Sequence, residues 1–432
     1  MKKIFLSIFL AGLGITVSAQ KSIDQKVTEL MAKMTLEEKI GQLNQYNDDI
    51  TATGPITKDA DKAGQVRAGK LGSILNAVGA KNTKNWQDQA MQSRLKIPLL
   101  FGQDVIHGFR TTFPIPLGET ATWDMNLIEK SARIAATEAS AYGIHWTFAP
   151  MVDIGRDPRW GRVMEGAGED TYLGTLVGKA RVKGFQGNGL GNKDAVMACA
   201  KHFAAYGAAV GGRDYNSVDM SLRQLHETYL PPFKAVSDMG VATFMNSFND
   251  INGIPATGNK YLQRDLLKGA WNFQGFVVSD WGSIGEMIPH GFAKDNKDAA
   301  LKAIIAGSDM DMESRSYINH LAELVKEGKV DIQLVDDAVR RILTKKYELG
   351  LFDDPYRFIN EKREKEQANN PEHRKFAREI GAKSIVLLKN ENQLLPLSPT
   401  TKKVAIIGPF AKATVENHGF WSIAFPDDSQ RI

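Results

Sequence analysis

The chain has 432 residues, of which 43% are hydrophobic and 24% charged, with a formal net charge of +4. This is ordinary globular composition with material for a large core. The near-neutral balance, part of it owed to Lys2 and Lys3, gives no basis for a nucleic-acid partner or an acidic membrane surface.

Residues 1–19 read as a secretory signal. Lys2-Lys3 open it, Ile4 to Val17 is an apolar stretch, and Val17-Ser18-Ala19 is a small-residue cleavage site that leaves Gln20 at the mature N-terminus. The stretch is too short to span a bilayer, and no Cys stands at the cleavage site for lipid attachment. The expectation is an exported, periplasmic protein with no membrane association after cleavage. Its single cysteine, Cys199, lies in the apolar run 196–200 and reads as a buried small hydrophobe.

Helical and strand-like patterns alternate from there on. Val27, Leu30, Met31 and Met34 share a helix face, and Thr35-Leu36-Glu37-Glu38 is a capping box. Strands are expected at 71–75, 97–101, 146–152, 196–200, 242–245, 276–278, around Met310 and at 385–388. Helical spacing recurs from Leu334 to Leu343, and Pro371 opens a helix over 371–383. About eight strand–helix units in this length predict an α/β fold, a closed (β/α)8 TIM-type barrel, with an open doubly wound sheet as runner-up. Beyond Asn390 the character changes. Two prolines mark a linker, and Val404-Ala405-Ile406-Ile407-Gly408 reads as the first strand of another domain. The expected division is signal 1–19, barrel 20–390, linker 391–403, and the start of an incomplete α/β sandwich domain at 404–432.

Charged and polar residues stand at nearly every expected strand exit: Asp104, Asp153, Lys201-His202, Asn246, Asp280 and Asp309/Asp311. Barrel active sites form at those ends. Asp280 closes the apolar run 275–279 and precedes Trp281, a flat face for a sugar ring. An Asp so placed more often only caps the next helix, but the other exits favour a functional role. A Lys at a barrel strand end can form a Schiff base, so a lyase acting through Lys201 is an alternative. That role needs a depressed pKa, whereas carboxylates at neighbouring exits favour a charged Lys201 that, with His202, binds hydroxyls. The loop 156–162 carries Arg156, Arg159, Trp160 and Arg162, with Glu165, Glu169 and Asp170 as the partners of a merely solvated loop. Gly211-Gly212-Arg213-Asp214-Tyr215 can line an entrance or simply turn. The histidines lack metal-ligand spacing and no multi-Cys cluster exists, so neither metal nor cofactor is expected. Carboxylate chemistry in an exported protein is most simply glycosidic.

These motifs carry a resemblance. In 102–108 (Gly-Gln-Asp-Val-Ile-His-Gly), 156–162, Lys201-His202-Phe203, 275–281 and 384–390 (Ser-Ile-Val-Leu-Leu-Lys-Asn), in that order, the chain resembles glycoside hydrolase family 3, especially its bacterial β-glucosidases. The resemblance implies a barrel followed by a sandwich domain, and retaining hydrolysis of terminal non-reducing β-D-glucosyl residues in glycosides or oligosaccharides. It implies Asp280 as nucleophile, with Asp104, Arg162, Lys201 and His202 clamping the first sugar. Trp281 lies beside the nucleophile. Phe248 falls where many relatives carry Tyr, so it supplies packing without a phenol. Pentose-specific relatives often have Glu at the position of Asp104, which favours glucose. A β-xylosidase or a mixed-specificity β-glycosidase is the alternative. In relatives the acid/base comes from the sandwich domain, beyond Ile432, and the stretch 201–207 lacks the His of the amino-sugar branch. The 432 residues are therefore expected to hold nucleophile and clamp without the acid/base, which leaves a non-catalytic sugar-binding fragment as a further alternative.

Overall fold

The computed structural model describes residues 21–48, 61–413, 416–423 and 425. The expected signal segment and Gln20 lie outside the described residues.

Eight short strands form a ring: β1 Asn44–Asn47, β2 Ser73–Leu75, β3 Leu100–Gln103, β4 Trp146–Thr147, β5 Cys199–Phe203, β6 Thr243–Asn246, β7 Phe276–Val278 and β8 Asp311–Met312. β8 pairs with β1, then β1 to β4 pair in sequence, and β5, β6 and β7 pair in sequence, all parallel. Parallel bridges Trp146↔Met197 and Val278↔Met310 join the two sheets on both sides. The barrel is closed, so each of these eight strands has a neighbour on both sides, and the open-sheet alternative is excluded. Helices connect the strands on the outside, among them Ala80–Ala90, Met125–Ala141, Thr171–Gln186, Pro231–Asp238 and Asn296–Ala306. The expected capping box forms, with the Thr35 side chain accepting from the Glu38 N–H and the Glu38 side chain accepting from Thr35 N–H. Ile332–Glu348 packs on the N-terminal helix Ile23–Met31, and Pro371–Lys383 begins at the expected proline.

Two expectations are corrected. The run 385–388 forms no strand; it lies without regular structure, with Leu388 91% exposed. The run 404–408 likewise has no strand pairing, and Ile407 is 92% exposed. A strand's backbone needs a neighbour to hydrogen-bond with and its apolar face needs a surface to cover. Among the described residues neither run has them. The barrel's remaining strand is instead Asn44–Asn47, a polar run missed in the sequence although all four residues are buried. Its side chains find partners inside: Asn44 Nδ2 donates to Ile40 O (2.7 Å), Gln45 Nε2 to Ser73 Oγ (2.7 Å), and Asn76 Nδ2 donates to Asn47 Oδ1 (2.6 Å). These bonds offset part of the cost of burying the amides, although Asn44 Oδ1 and Gln45 Oε1 have no partner among the described residues.

Candidate active site at the C-terminal mouth of the barrel

The seven residues that the family resemblance points to, Asp104, Arg162, Lys201, His202, Phe248, Asp280 and Trp281, line one cavity of about 350 Å³. Its apolar floor is Leu75, Met245 and Met312, at the ends of β2, β6 and β8. Asp104 directly follows β3, and Asp280 stands two residues beyond β7. Gly275 lets β7 start in close contact with its neighbour, since a Cβ there would meet Ala242 O at 2.0 Å. Lys201 and His202 are consecutive, and strand alternation would send them to opposite faces. The β5–β6 register shifts between Ala200 and Phe203, and this irregularity lets both reach the cavity.

The polar groups form a chain of paired charges. Lys201 Nζ lies 3.3 Å from Asp104 Oδ1. Arg162 donates from Nε and Nη2 to the two oxygens of Glu165 (2.8 and 3.1 Å), and its Nη2 is 3.0 Å from His202 Nε2. Asp153 Oδ2 accepts from both the backbone N–H and Nδ1 of His202, each at 2.8 Å. Burial, with Arg162 and Lys201 adding to it, pushes the imidazole well below its usual range. A neutral His202 that donates from Nδ1 to Asp153 and accepts at Nε2 from Arg162 satisfies every bond. Burial lifts Asp153 to about 7 against these donors.

Asp280 Oδ1 accepts from the Trp281 N–H at 2.7 Å, and Oδ2 stands 3.6 Å from His202 Nε2. It does not cap the following helix. That helix, Ser283–Glu286, has Gly282 as N-cap, at φ +70°, without a side-chain bond. Burial raises the Asp280 carboxyl to about 6, with Arg162 and Lys201 opposing the rise. At neutral pH it is an ionised, desolvated carboxylate facing an open cavity, a combination characteristic of reactive groups.

Three wall residues were not singled out individually in the sequence. Tyr215, from the glycine-hinged loop, lies against Phe248 with ring centroids 4.4 Å apart, and that loop is tied to the arginine loop by Trp160 Nε1 donating to Asp214 Oδ1 at 2.8 Å. Glu286 and Trp421 also line the cavity. Lys201 Nζ sits 5.6 Å from the Trp421 ring centroid, and His107 Nε2 bonds Phe420 O, so the segment 416–423 lies back over the barrel mouth. Only the loop's glycines hinted at Tyr215; nothing local marks Glu286 or Trp421. Of the three loop arginines only Arg162 reaches the cavity, while Arg159 pairs with the adjacent Asp157 (2.6 Å). Asp309 pairs with Lys268 (2.5 Å) and Asp311 accepts the N–H groups of Ser314 and Tyr317, both apart from the cavity.

The model of the glycosyl hydrolase family 3 N terminal domain matches residues 35–345, and that of the family 3 C-terminal domain matches 385–430. The chain belongs to glycosyl hydrolase family 3. A periplasmic beta-glucosidase of Salmonella typhimurium is 44% identical over 405 residues, covering 93% of the chain and 52% of that protein. A putative beta-xylosidase of Formosa agariphila is 35% identical over 416 residues, covering 91% and 55%. Among solved structures, the beta-glucosidase of Listeria innocua in complex with isofagomine matches with a TM-score of 0.82 at 44% identity, covering 87% of the chain and 53% of that one. The same enzyme's D270A mutant has been solved with laminaribiose. The family 3 chain thus spans about half the length of these relatives.

Proposed function

We propose that the chain is the barrel portion of a retaining, exo-acting β-glucosidase with Asp280 as nucleophile. The observation that carries this reading is the buried Asp280, its Oδ2 3.6 Å from His202 Nε2, in a cavity walled by Asp104–Lys201 and Arg162–Glu165. Asp280 attacks the anomeric carbon. A bond from its oxygen to that carbon forms as the bond to the leaving oxygen breaks, and water later hydrolyses the ester. Asp104, Lys201, His202 and Arg162 bind the first sugar's hydroxyls, Trp281 offers its ring face, and Phe248 contributes packing. The acid that protonates the leaving oxygen is not assigned to a barrel residue. No cofactor enters the scheme.

Glucose is favoured over xylose by Asp104 and by the higher identity to a glucosidase than to the xylosidases. A Schiff-base role for Lys201 is disfavoured by its ion pair with Asp104. The division into barrel 20–390, linker 391–403 and sandwich segment from 404 is supported by a second family match beginning at 385. Export to the periplasm is supported by the pattern of residues 1–19 and by the periplasmic relative. Among the described residues no helix is long and apolar enough to cross a membrane.

The test is a 2-deoxy-2-fluoro glucoside with a dinitrophenyl leaving group, which needs little acid assistance. Peptide mass analysis is expected to find the label on Asp280, and a label on any other residue refutes the assignment.

A further inference from the structure

Asp153 stands behind His202 and does not itself line the cavity. Residues 151–153 run on from β4 alongside β5: Met151 bridges Lys201, and the Val152 N–H donates to Lys201 O at 2.8 Å. This pairing sets Asp153 against His202, whose backbone N–H and Nδ1 both meet Asp153 Oδ2 at 2.8 Å. Neither side chain is exposed to solvent. A buried carboxylate is a costly way to accept one backbone N–H, and a neutral side-chain oxygen would serve that bond alone. The charge is explained by the second bond, the one to the imidazole.

The other ring nitrogen, Nε2, faces two groups of opposite character. Arg162 Nη2, 3.0 Å away, can only donate, and Asp280 Oδ2, 3.6 Å away, can only accept while ionised. A bare Nε2 accepts from Arg162, whose Nη2 also donates to Glu165 Oε2 at 3.1 Å. A protonated Nε2 turns its hydrogen toward Asp280 and against the Arg162 N–H groups. Burial, with Arg162 and Lys201 adding to it, keeps the ring neutral, so it carries one proton to place. The bond made by one ring nitrogen decides which of the two holds that proton. We propose that Asp153 is a positioning residue: by holding the His202 proton on Nδ1, it keeps a hydrogen-bond donor away from Asp280 and seats Arg162 between His202 and Glu165. The consequence for reactivity rests on the proposed role of Asp280, whereas the placement of the His202 proton does not.

The first measurement is heteronuclear NMR of the chain carrying isotope-labelled histidine, at about pH 8 so that Asp153, which burial lifts to about 7, is ionised. The His202 signal is assigned by its loss in His202→Gln. The proton is expected on Nδ1 with Nε2 bare, and a proton on Nε2 overturns the proposal whatever the sugar chemistry. The second measurement is labelling by the 2-deoxy-2-fluoro glucoside. Asp153→Ala removes the acceptor and is expected to move the proton to Nε2. It is expected to slow labelling at saturation by at least about tenfold, with the half-saturating concentration changed by less than about threefold. The acid limb of labelling, set by Asp280 at about 6, is expected to move lower, because a ring N–H stabilises the carboxylate. Asp153→Ser, whose hydroxyl fills part of the vacated space, gives the same readings if the alanine variant does not fold. Asp153→Asn is expected to stay within about threefold of the parent, because the His202 backbone N–H turns the amide oxygen toward itself and that oxygen still accepts from Nδ1. Parental labelling rates in the alanine or serine variant, or an unmoved acid limb, overturn the positioning role. Absence of labelling in the parent refutes Asp280 as nucleophile and the reactivity claim with it, while the NMR result still decides where the His202 proton lies.

Discussion

Residues 44–47 and 385–388 behave opposite to their composition. Asn-Gln-Tyr-Asn forms a buried barrel strand, while Ile-Val-Leu-Leu lies without regular structure and largely exposed. The polar run has β8 on one side and β2 on the other, so its backbone is paired and its amides meet Ser73 and Asn76. The apolar run has no such neighbours among the described residues. Side-chain propensity for strands describes fit to a half-buried pleated surface, and without the surface it decides little.

The largest test of this contrast lies where barrel closure creates chemistry. If Asp280 is the nucleophile proposed above, Asp280→Asn is expected to cut release of dinitrophenol from a dinitrophenyl β-glucoside by at least about 10³-fold. A smaller loss would mean that closure has not made Asp280 reactive. Next comes the polar strand. Asn47→Leu raises strand propensity but removes the oxygen that accepts from Asn76 Nδ2 at 2.6 Å, and is expected to cost about 1–3 kcal/mol in urea unfolding. A neutral or stabilising result would break the comparison, because composition would then outrank neighbours.

A pH effect follows from Asp280. Its folded-state pKa of about 6 lies above the ordinary value of 3.8. A group so raised contributes stability that is present below about pH 3.8 and is lost as pH rises through 6. Asp280→Asn is therefore expected to be more stable than the parent at pH 7.5, by about 1–2 kcal/mol, with the difference vanishing near pH 4 in thermal melts. Labelling by the fluoro-glucoside should slow below pH 6 as Asp280, the proposed nucleophile, takes up its proton. The smallest effect belongs to the exposed runs: Leu388→Ser and Ile407→Ser are each expected to change unfolding free energy by less than about 0.5 kcal/mol. A larger loss would show that these side chains are covered in solution.

Much of the cavity was legible because barrel chemistry gathers at strand exits, and residue type at those exits is a local signal. Asp104, Lys201, His202 and Asp280 were found this way, and the strands bearing them stood out as apolar runs. Asn44–Asn47 escaped because amides bonded inside a barrel look like loop residues in one dimension. Tyr215, Glu286 and Trp421 reach the cavity from loops, a short helix and the distant segment 416–423, and no periodicity encodes such approaches. Asp309 and Asp311 looked like site residues by the same exit rule, yet one pairs with Lys268 and the other binds backbone N–H groups.

The sequence by itself determined the alternation of strand and helix, hence a parallel fold, and the identity of the carboxylates and cations at the strand exits, because pattern and residue type are local properties. Tertiary structure alone decided that the ring closes through β1 and that Lys201 and His202 both face inward. It also placed Asp280 Oδ2 3.6 Å from His202 while Arg162 and Lys201 were paired with Glu165 and Asp104. Those outcomes depend on register, burial and which charge reaches which, and these exist only once distant parts of the chain are brought together.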